Sequence, residues 1–132
     1  MKSYFLAGVI AVFPMVGMAA SFDCTTKNFG RGGWVSKRYI AAYDDGAGAG
    51  SMIDAGINEV HGAPIPVDWK RRSDTSSTFR WKLKGANISN AGKAILSYKF
   101  TLFESRNEFT LSGRLHGYDN VISASGTCKK IR

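Results

Sequence analysis

The chain is poor in the residues that most chemistry needs. Its 132 residues include two histidines, two cysteines and three prolines. With so few, no tetrahedral zinc set of usable spacing can be assembled. His61 and His116 are not flanked by a nucleophile motif, and a loop or surface histidine is ordinarily only that. Acidic residues are also scarce, ten Asp and Glu against eighteen Lys and Arg. The pairs Asp44/Asp45 and Glu104/Glu108 flank expected turns, where carboxylates are solvated rather than poised for acid–base work. Asp44-Asp45-Gly46 opens like a calcium loop, but glycine and alanine occupy the positions where further ligands would be needed. Heptads, internal repeats and a sustained helical period are missing too, which argues against a coiled coil or solenoid. The sequence therefore offers no catalytic residue, no cofactor site and no metal site.

The one long apolar run lies at the start. Lys2, the apolar residues 4–13, and small residues at Gly17, Ala19 and Ala20 have the layout of a secretory signal peptide. That assigns residues 1–20 to a leader cleaved after Ala19 or Ala20, and leaves 21–132 as a single β domain with no transmembrane segment after processing. The run falls short of the ~20 residues that a spanning helix requires. The formal charge is +8 at pH 7, and +7 once Lys2 is removed with the leader. Such a balance favours anionic partners.

What the sequence does contain is alternation. In 94–103, Leu96, Tyr98, Phe100 and Leu102 share one face; in 109–115, Phe109, Leu111, Gly113 and Leu115 do the same. A two-residue turn at Arg106-Asn107 sets Leu102 opposite Leu111, Phe100 opposite Gly113 and Tyr98 opposite Leu115, with Phe100 covering the glycine backbone. A turn over 117–120 then sets Ile122 opposite Leu115, Ala124 opposite Gly113, Gly126 opposite Leu111 and Cys128 opposite Phe109. Both turns put every apolar residue on one side, which is how a one-sided sheet selects register. The inner face of the last strand, Ala124, Gly126 and Cys128, is thin. Filling by a tryptophan (Trp34, Trp69 or Trp81) is favoured over a small ligand cavity.

Earlier in the chain, 21–26 is a short first strand and 30–33 a glycine loop. Residues 34–43 form a second strand whose buried side periodicity does not choose. Residues 44–50 are a flexible connection. The segment 51–60 reads as two short strands or one bulged strand, with a helical turn near Ser51 as a further option. Residues 61–66 are loop or edge, because Pro64 and Pro66 remove ladder donors. Residues 67–72 and 78–84 pair around 73–77, with Trp69 opposite Trp81 and Lys70 opposite Arg80. Residues 85–93 form a loop holding Asn87-Ile88-Ser89, a possible glycosylation acceptor. The expected fold is all-β: a single antiparallel barrel or barrel-like sandwich of seven to eight strands.

Cys24 and Cys128 stand at opposite ends of the mature chain. An internal disulfide is favoured over free thiols or an intermolecular bridge, because Cys128 points inward in the meander and Cys24 shares a strand face with Phe22. The bond would close an N-to-C-terminal ring.

The hairpin over 67–84 carries the candidate site. Lys70, Arg72, Arg80, Lys82 and Lys84 gather on its outer face, relieved only by Asp68. Like charges across a ladder repel; the arrangement serves either as a solubility device or as a site for phosphate or carboxylate groups. For an exported protein the partner is an anionic glycan, a lipid head group or an acidic protein. Nucleic acid is disfavoured, since the aromatic residues alternate inward and offer no stacking platform. The expectation is thus an exported, non-enzymatic binding module in the periplasm or outside the cell. The alternative is a secreted inhibitor or a small-ligand-carrying β-barrel.

Phe22-Asp23-Cys24 near the mature start, Gly33-Trp34, Pro64-Ile65-Pro66 and Gly126-Thr127-Cys128 at the end together resemble a group of small exported, uncharacterised proteins of Gram-negative bacteria. The resemblance implies an exported β domain with one terminal disulfide and transfers no activity. Phe79-Arg80-Trp81-Lys82 up to Gly85 is also similar to part of the C-type lysozyme inhibitor signature. The Ser-Gly and Tyr elements that precede it in that family are absent, and a basic surface would repel a basic lysozyme.

Overall fold

The computed structural model describes residues 19–31, 33–88, 92–119 and 121–132. Residues 1–18, which hold most of the expected leader, lie outside them. Among the described residues, eight antiparallel strands close into a barrel in sequence order. They are β1 (Ala19–Arg31), β2 (Arg38–Asp44), β3 (Ala49–Asp54), β4 (Ile65–Ser73), β5 (Ser76–Ile88), β6 (Gly92–Phe103), β7 (Glu108–Leu115) and β8 (Val121–Lys130), with one helix, α1 (Ala55–His61), between β3 and β4. Closure removes the open edges that a sandwich would leave, so the barrel is the form realised.

The interior is filled by side chains, as expected for eight strands. Tyr39, Phe79, Phe100 and Phe109 form its centre: Phe100 stacks on Phe109 at 4.7 Å and meets Phe79 edge-on at 5.8 Å. Tyr39 closes on Phe100 at 5.6 Å. Bulky inward residues from β5, β6 and β7 lean towards the small ones of β1, β2 and β8, namely Cys24, Ala41, Ala124 and Gly126. The thin patch on β8 is therefore filled, but by Phe109 and not by a tryptophan. A Cβ on Gly126 would lie 2.7 Å from the Phe109 ring edge and collide with the Thr25 carbonyl oxygen. Trp69 and Trp81 are buried elsewhere in the barrel, and Trp34 is exposed.

Every expected face is correct and every expected hairpin register is displaced by two residues. Tyr98, not Phe100, lies opposite Gly113; Phe100 faces Leu111, Leu102 faces Phe109, and Leu96 faces Leu115. The loop is Glu104–Asn107 rather than Arg106-Asn107 alone, with Asn107 at φ 53°. Ile122 lies opposite Gly113, Ala124 opposite Leu111 and Gly126 opposite Phe109. Cys128 instead donates its N–H to Asn107 O at 2.8 Å and stays inward. Trp69 faces Phe79 and Lys70 faces Thr78, because a bulge near Arg72 tightens the turn between β4 and β5. Displacing a register by two residues leaves side-chain parity intact, so burial alone does not distinguish these registers.

Other boundaries move for local reasons. Trp34 and Val35 lie in the loop before β2, whose buried side is Tyr39, Ala41 and Tyr43. The segment 51–60 is the end of β3 followed by α1, and Asp54 caps the helix by accepting from Ile57 N at 2.8 Å. Gly62, in the left-handed region at φ 72°, ends it. Pro66 sits within β4 opposite Ser51. The expected loop 85–93 is mostly strand: β5 runs to Ile88 across a bulge at Gly85 (φ 89°), and β6 starts at Gly92. Asn87 therefore falls in β5, while Ser89 of the acceptor triplet is outside the described residues. The first strand is longer than expected and begins at Ala19.

Cys24 and Cys128 are bonded and face each other across the β1–β8 seam. Seven of the eight seams join strands adjacent in sequence; this one joins the first strand to the last. The disulfide fits an oxidising compartment. Among the described residues no helix is long and apolar enough to cross a membrane.

Candidate functional site

Strand alternation turns Arg80, Lys82 and Lys84 of β5, Ser97 and Lys99 of β6, and Ser112 and Arg114 of β7 to the outside of the barrel. The observed registers then stack them in rows. Arg80 lies opposite Lys99, which lies opposite Ser112; Lys82 lies opposite Ser97, which lies opposite Arg114. Rows repeat about every 6.7 Å along a strand and neighbouring strands are about 4.8 Å apart. The result is a furrow of about 620 Å³ floored by the backbone of three strands and walled by Arg80, Lys82, Lys99 and Arg114. His116 stands at its end, with Nε2 2.6 Å from Ser97 Oγ.

Among the described residues no carboxylate stands at ion-pair distance from the furrow cations. Among the described residues the ion pairs are Arg38–Asp23, Arg71–Asp45, Arg71–Glu104 and Arg106–Glu108, none of which includes a furrow cation. Asp68 is opposite Arg80 in register but makes no ion pair with it. The pair on the other side of the barrel shows the contrast: the Arg38 hydrogen bond holds the Asp23 carboxyl below its usual range. Arg80 opposite Lys99 is a repulsive cross-strand pair that costs a few tenths to about 1 kcal/mol, and a bound anion would relieve it.

The five cations read from the sequence do not act as one set. All are exposed on outer faces, but only Arg80 and Lys82 line the furrow. Lys84 continues its row of β5 opposite Ile95, while Lys70 and Arg72 sit away on β4. Lys99, Arg114, Ser97, Ser112 and His116 were missed as site residues. Their outward phase was readable in the meander, but the alignment of β6 against β5 was not, and that pairing brings the two cationic strands together.

The ends of the barrel carry two polar networks. At the end bearing α1, Asp54 also accepts from Ser36 Oγ at 3.0 Å, Ser36 N donates to the Tyr39 hydroxyl at 3.0 Å, and the Tyr98 hydroxyl donates to Trp34 O at 2.7 Å. Burial pushes the Asp54 carboxyl above its ordinary range and the Tyr39 and Tyr98 phenols likewise. These groups pin the Trp34–Lys37 loop to the helix cap. Between them opens a cleft of about 680 Å³ that includes Val35, Ile53, Val60, Leu83 and Leu96. At the opposite end, Glu104 is not merely solvated: it accepts from the Tyr43 hydroxyl at 2.9 Å and pairs with Arg71, which lies over the stacked Tyr43 and Trp69 rings. His61 is an exposed residue at the C-terminus of α1. Among the described residues no group of three His, Cys, Asp or Glu side chains converges as a metal-ligand set.

In comparisons with known proteins, no family model, curated protein or solved structure matches this chain.

Proposed function

We propose that the protein is an exported, non-enzymatic binding module that holds an anionic partner in the furrow of β5, β6 and β7. The observation that carries this reading is the convergence of Arg80, Lys82, Lys99 and Arg114 from three adjacent strands with no acidic side chain at ion-pair distance among the described residues. Hydroxyls at Ser97 and Ser112 and the His116 ring add hydrogen-bonding partners for phosphate, sulfate or carboxylate oxygens. Export follows from the leader-like start and accords with the disulfide. Contact through exposed cations weakens with salt, since the screening length falls from about 10 Å at 0.1 M to about 3 Å at 1 M. Retention on an immobilised soluble polyanion should therefore fall steeply between those salts, and Arg80→Glu with Lys82→Glu should abolish it at low salt. Retention that ignores both salt and charge reversal would dismiss the proposal.

The apolar cleft beside α1 supports a second reading, a carrier of a small ligand. Because the barrel centre is filled by Phe79, Phe100, Phe109 and Tyr39, the ligand would occupy that cleft. A bound small molecule that survives native mass spectrometry and is lost in Val60→Arg would favour it.

A further inference from the structure

The large apolar side chains left exposed are not scattered. Phe29, Trp34, Ile95, Tyr118 and Val121 are 46%, 37%, 38%, 50% and 50% exposed; apart from Ile131 near the C-terminus they are all such residues among those described. All five stand at the α1 end of the barrel. Phe29 is near the end of β1, Trp34 in the loop that follows, Ile95 near the start of β6, Tyr118 in the β7–β8 loop and Val121 at the start of β8. These elements are near neighbours around the closed sheet: β6, β7, β8 and β1 are consecutive, and Tyr98 of β6 holds the Trp34 carbonyl.

Cations flank this rim and continue behind it. Ile95 is opposite Lys84 and Val121 opposite Arg114, and Val121 and His116 belong to the furrow itself. Moving away from Ile95 along β6, the next row holds Lys82 and Arg114 with Val121 beside them, and the following one Arg80 and Lys99. Trp34 and Tyr118, in loops beyond the strand ends, form an apolar tip; behind it Lys84, Lys82, Arg114, Arg80 and Lys99 form a basic collar, with Ile95 and Val121 set among its outer rows. Asp119 and Glu59 are the exposed carboxylates described at this end.

Resting on the anion-binding reading above, we infer that this end of the barrel docks on an anionic lipid bilayer, with the apolar rim in the interface and the furrow cations at the head groups. A soluble polyanion would use only the collar. An apolar tip ahead of a basic collar matches a phase in which hydrocarbon lies beyond a negatively charged layer. Interfacial segments bury their apolar face about 5–10 Å deep, so Trp34 and Tyr118 enter the interface while Ile95 and Val121, beside Lys84 and Arg114, meet its boundary with the head groups. Trp and Tyr rings, apolar with one polar edge, suit that boundary. Trp34 is also held for display: its φ of 58° is unfavourable for a bulky residue, and it follows Gly33 at φ 65°.

The experiment is co-sedimentation of the full chain with vesicles of phosphatidylglycerol and phosphatidylcholine, against vesicles of phosphatidylcholine alone. A soluble polyanion column serves as the parallel arm. Trp34→Gly with Tyr118→Ser should lower partitioning onto the anionic vesicles by about tenfold or more while leaving the polyanion column unchanged. In the unsubstituted protein, brominated acyl chains should quench Trp34, since Trp69 and Trp81 are buried. Unchanged partitioning of the double variant, or no quenching by brominated lipid, would overturn the inference while the anion-binding function stood. Loss of that function would show separately, as an Arg80→Glu, Lys82→Glu variant that binds the polyanion column as well as before.

Discussion

Removing the Cys24–Cys128 bond is the perturbation whose size can best be worked from the fold. The two residues are separated by 104 positions, so the bond closes nearly the whole domain into one ring. Loop-closure entropy for about 100 residues corresponds to about 4.7 kcal/mol lost from the unfolded state at 25 °C. Both sulfurs are buried, Cys24 fully, and truncation to alanine forfeits about 0.8 kcal/mol for each methylene-sized group withdrawn. The sum is a large part of the 5–15 kcal/mol that holds a typical domain together. With a urea slope of about 1.5 kcal/mol per molar, the midpoint of Cys24→Ala, Cys128→Ala should fall by about 4 M.

Two features distinguish this mechanism from loss of a local contact. The slope itself should rise, because an unfolded chain freed of the ring exposes more surface. Amide exchange should accelerate first in β1 and β8, since their seam closes the barrel and contains register shifts between Thr26 and Arg31. The hairpin seams, held by short turns, should respond less. A midpoint shift below about 0.5 M with an unchanged slope would refute the reasoning and leave ladder hydrogen bonds as sufficient closure.

Two further stability predictions follow from the interior and the helix cap. Gly126→Ala drives a methyl group into the Thr25 carbonyl and the Phe109 ring; it should cost about 1–3 kcal/mol or more by denaturant titration, whereas Gly117→Ala, facing open space with φ 87°, should cost only the backbone penalty of about 1 kcal/mol. The Asp54 carboxyl is raised by burial above its ordinary value, so the folded state takes up a proton more readily than the unfolded one. Its ionisation lowers stability as pH rises from about 3.9 through the raised folded value, and the effect is flat above. Asp54→Asn keeps an N-cap acceptor and removes that titration. The variant should therefore gain on the parent between pH 4 and 7 and lose the advantage below; urea titrations of both proteins across that range would show it, and a constant difference would count against a buried charge.

The inside of this protein was legible because burial writes itself into sequence with a period of two. Leu96, Tyr98, Phe100 and Leu102 declare a face without any knowledge of partners, and so do Phe109, Leu111 and Leu115. Cys128 inherits its inward position from the same phase, which is why the disulfide could be anticipated. Register was not legible to better than two residues, for parity is all that one-sided burial fixes. The choice between Phe100 and Tyr98 opposite Gly113 belongs to the loop, where Glu104 leaves the ladder to meet Tyr43 and Arg71. These partners come from β2 and β4, distant in sequence, and no local pattern announces them. The helix α1 was legible only as one option among several for 51–60, for a related reason. At seven residues it is too short to display a period, and its signal was a single cap, Asp54, before Ile57.

The outer surface has no such redundancy, and the candidate site depends on it. A displacement of two residues leaves the core composition of each hairpin unchanged but decides which cations become neighbours. In the expected pairing Lys70 would face Arg80 and the basic patch would centre on β4 and β5. In the observed one Asp68 faces Arg80, Lys70 faces Thr78, and the cations without a described ion pair gather on β5, β6 and β7. There they meet the uncharged hydroxyls of Ser97 and Ser112 and run out to Val121. The turns between strands thus act on function through register: they move no residue from inside to outside, yet they set Asp68 beside Arg80 and bring the cationic rows of β5, β6 and β7 into a furrow that opens at the apolar end of the barrel.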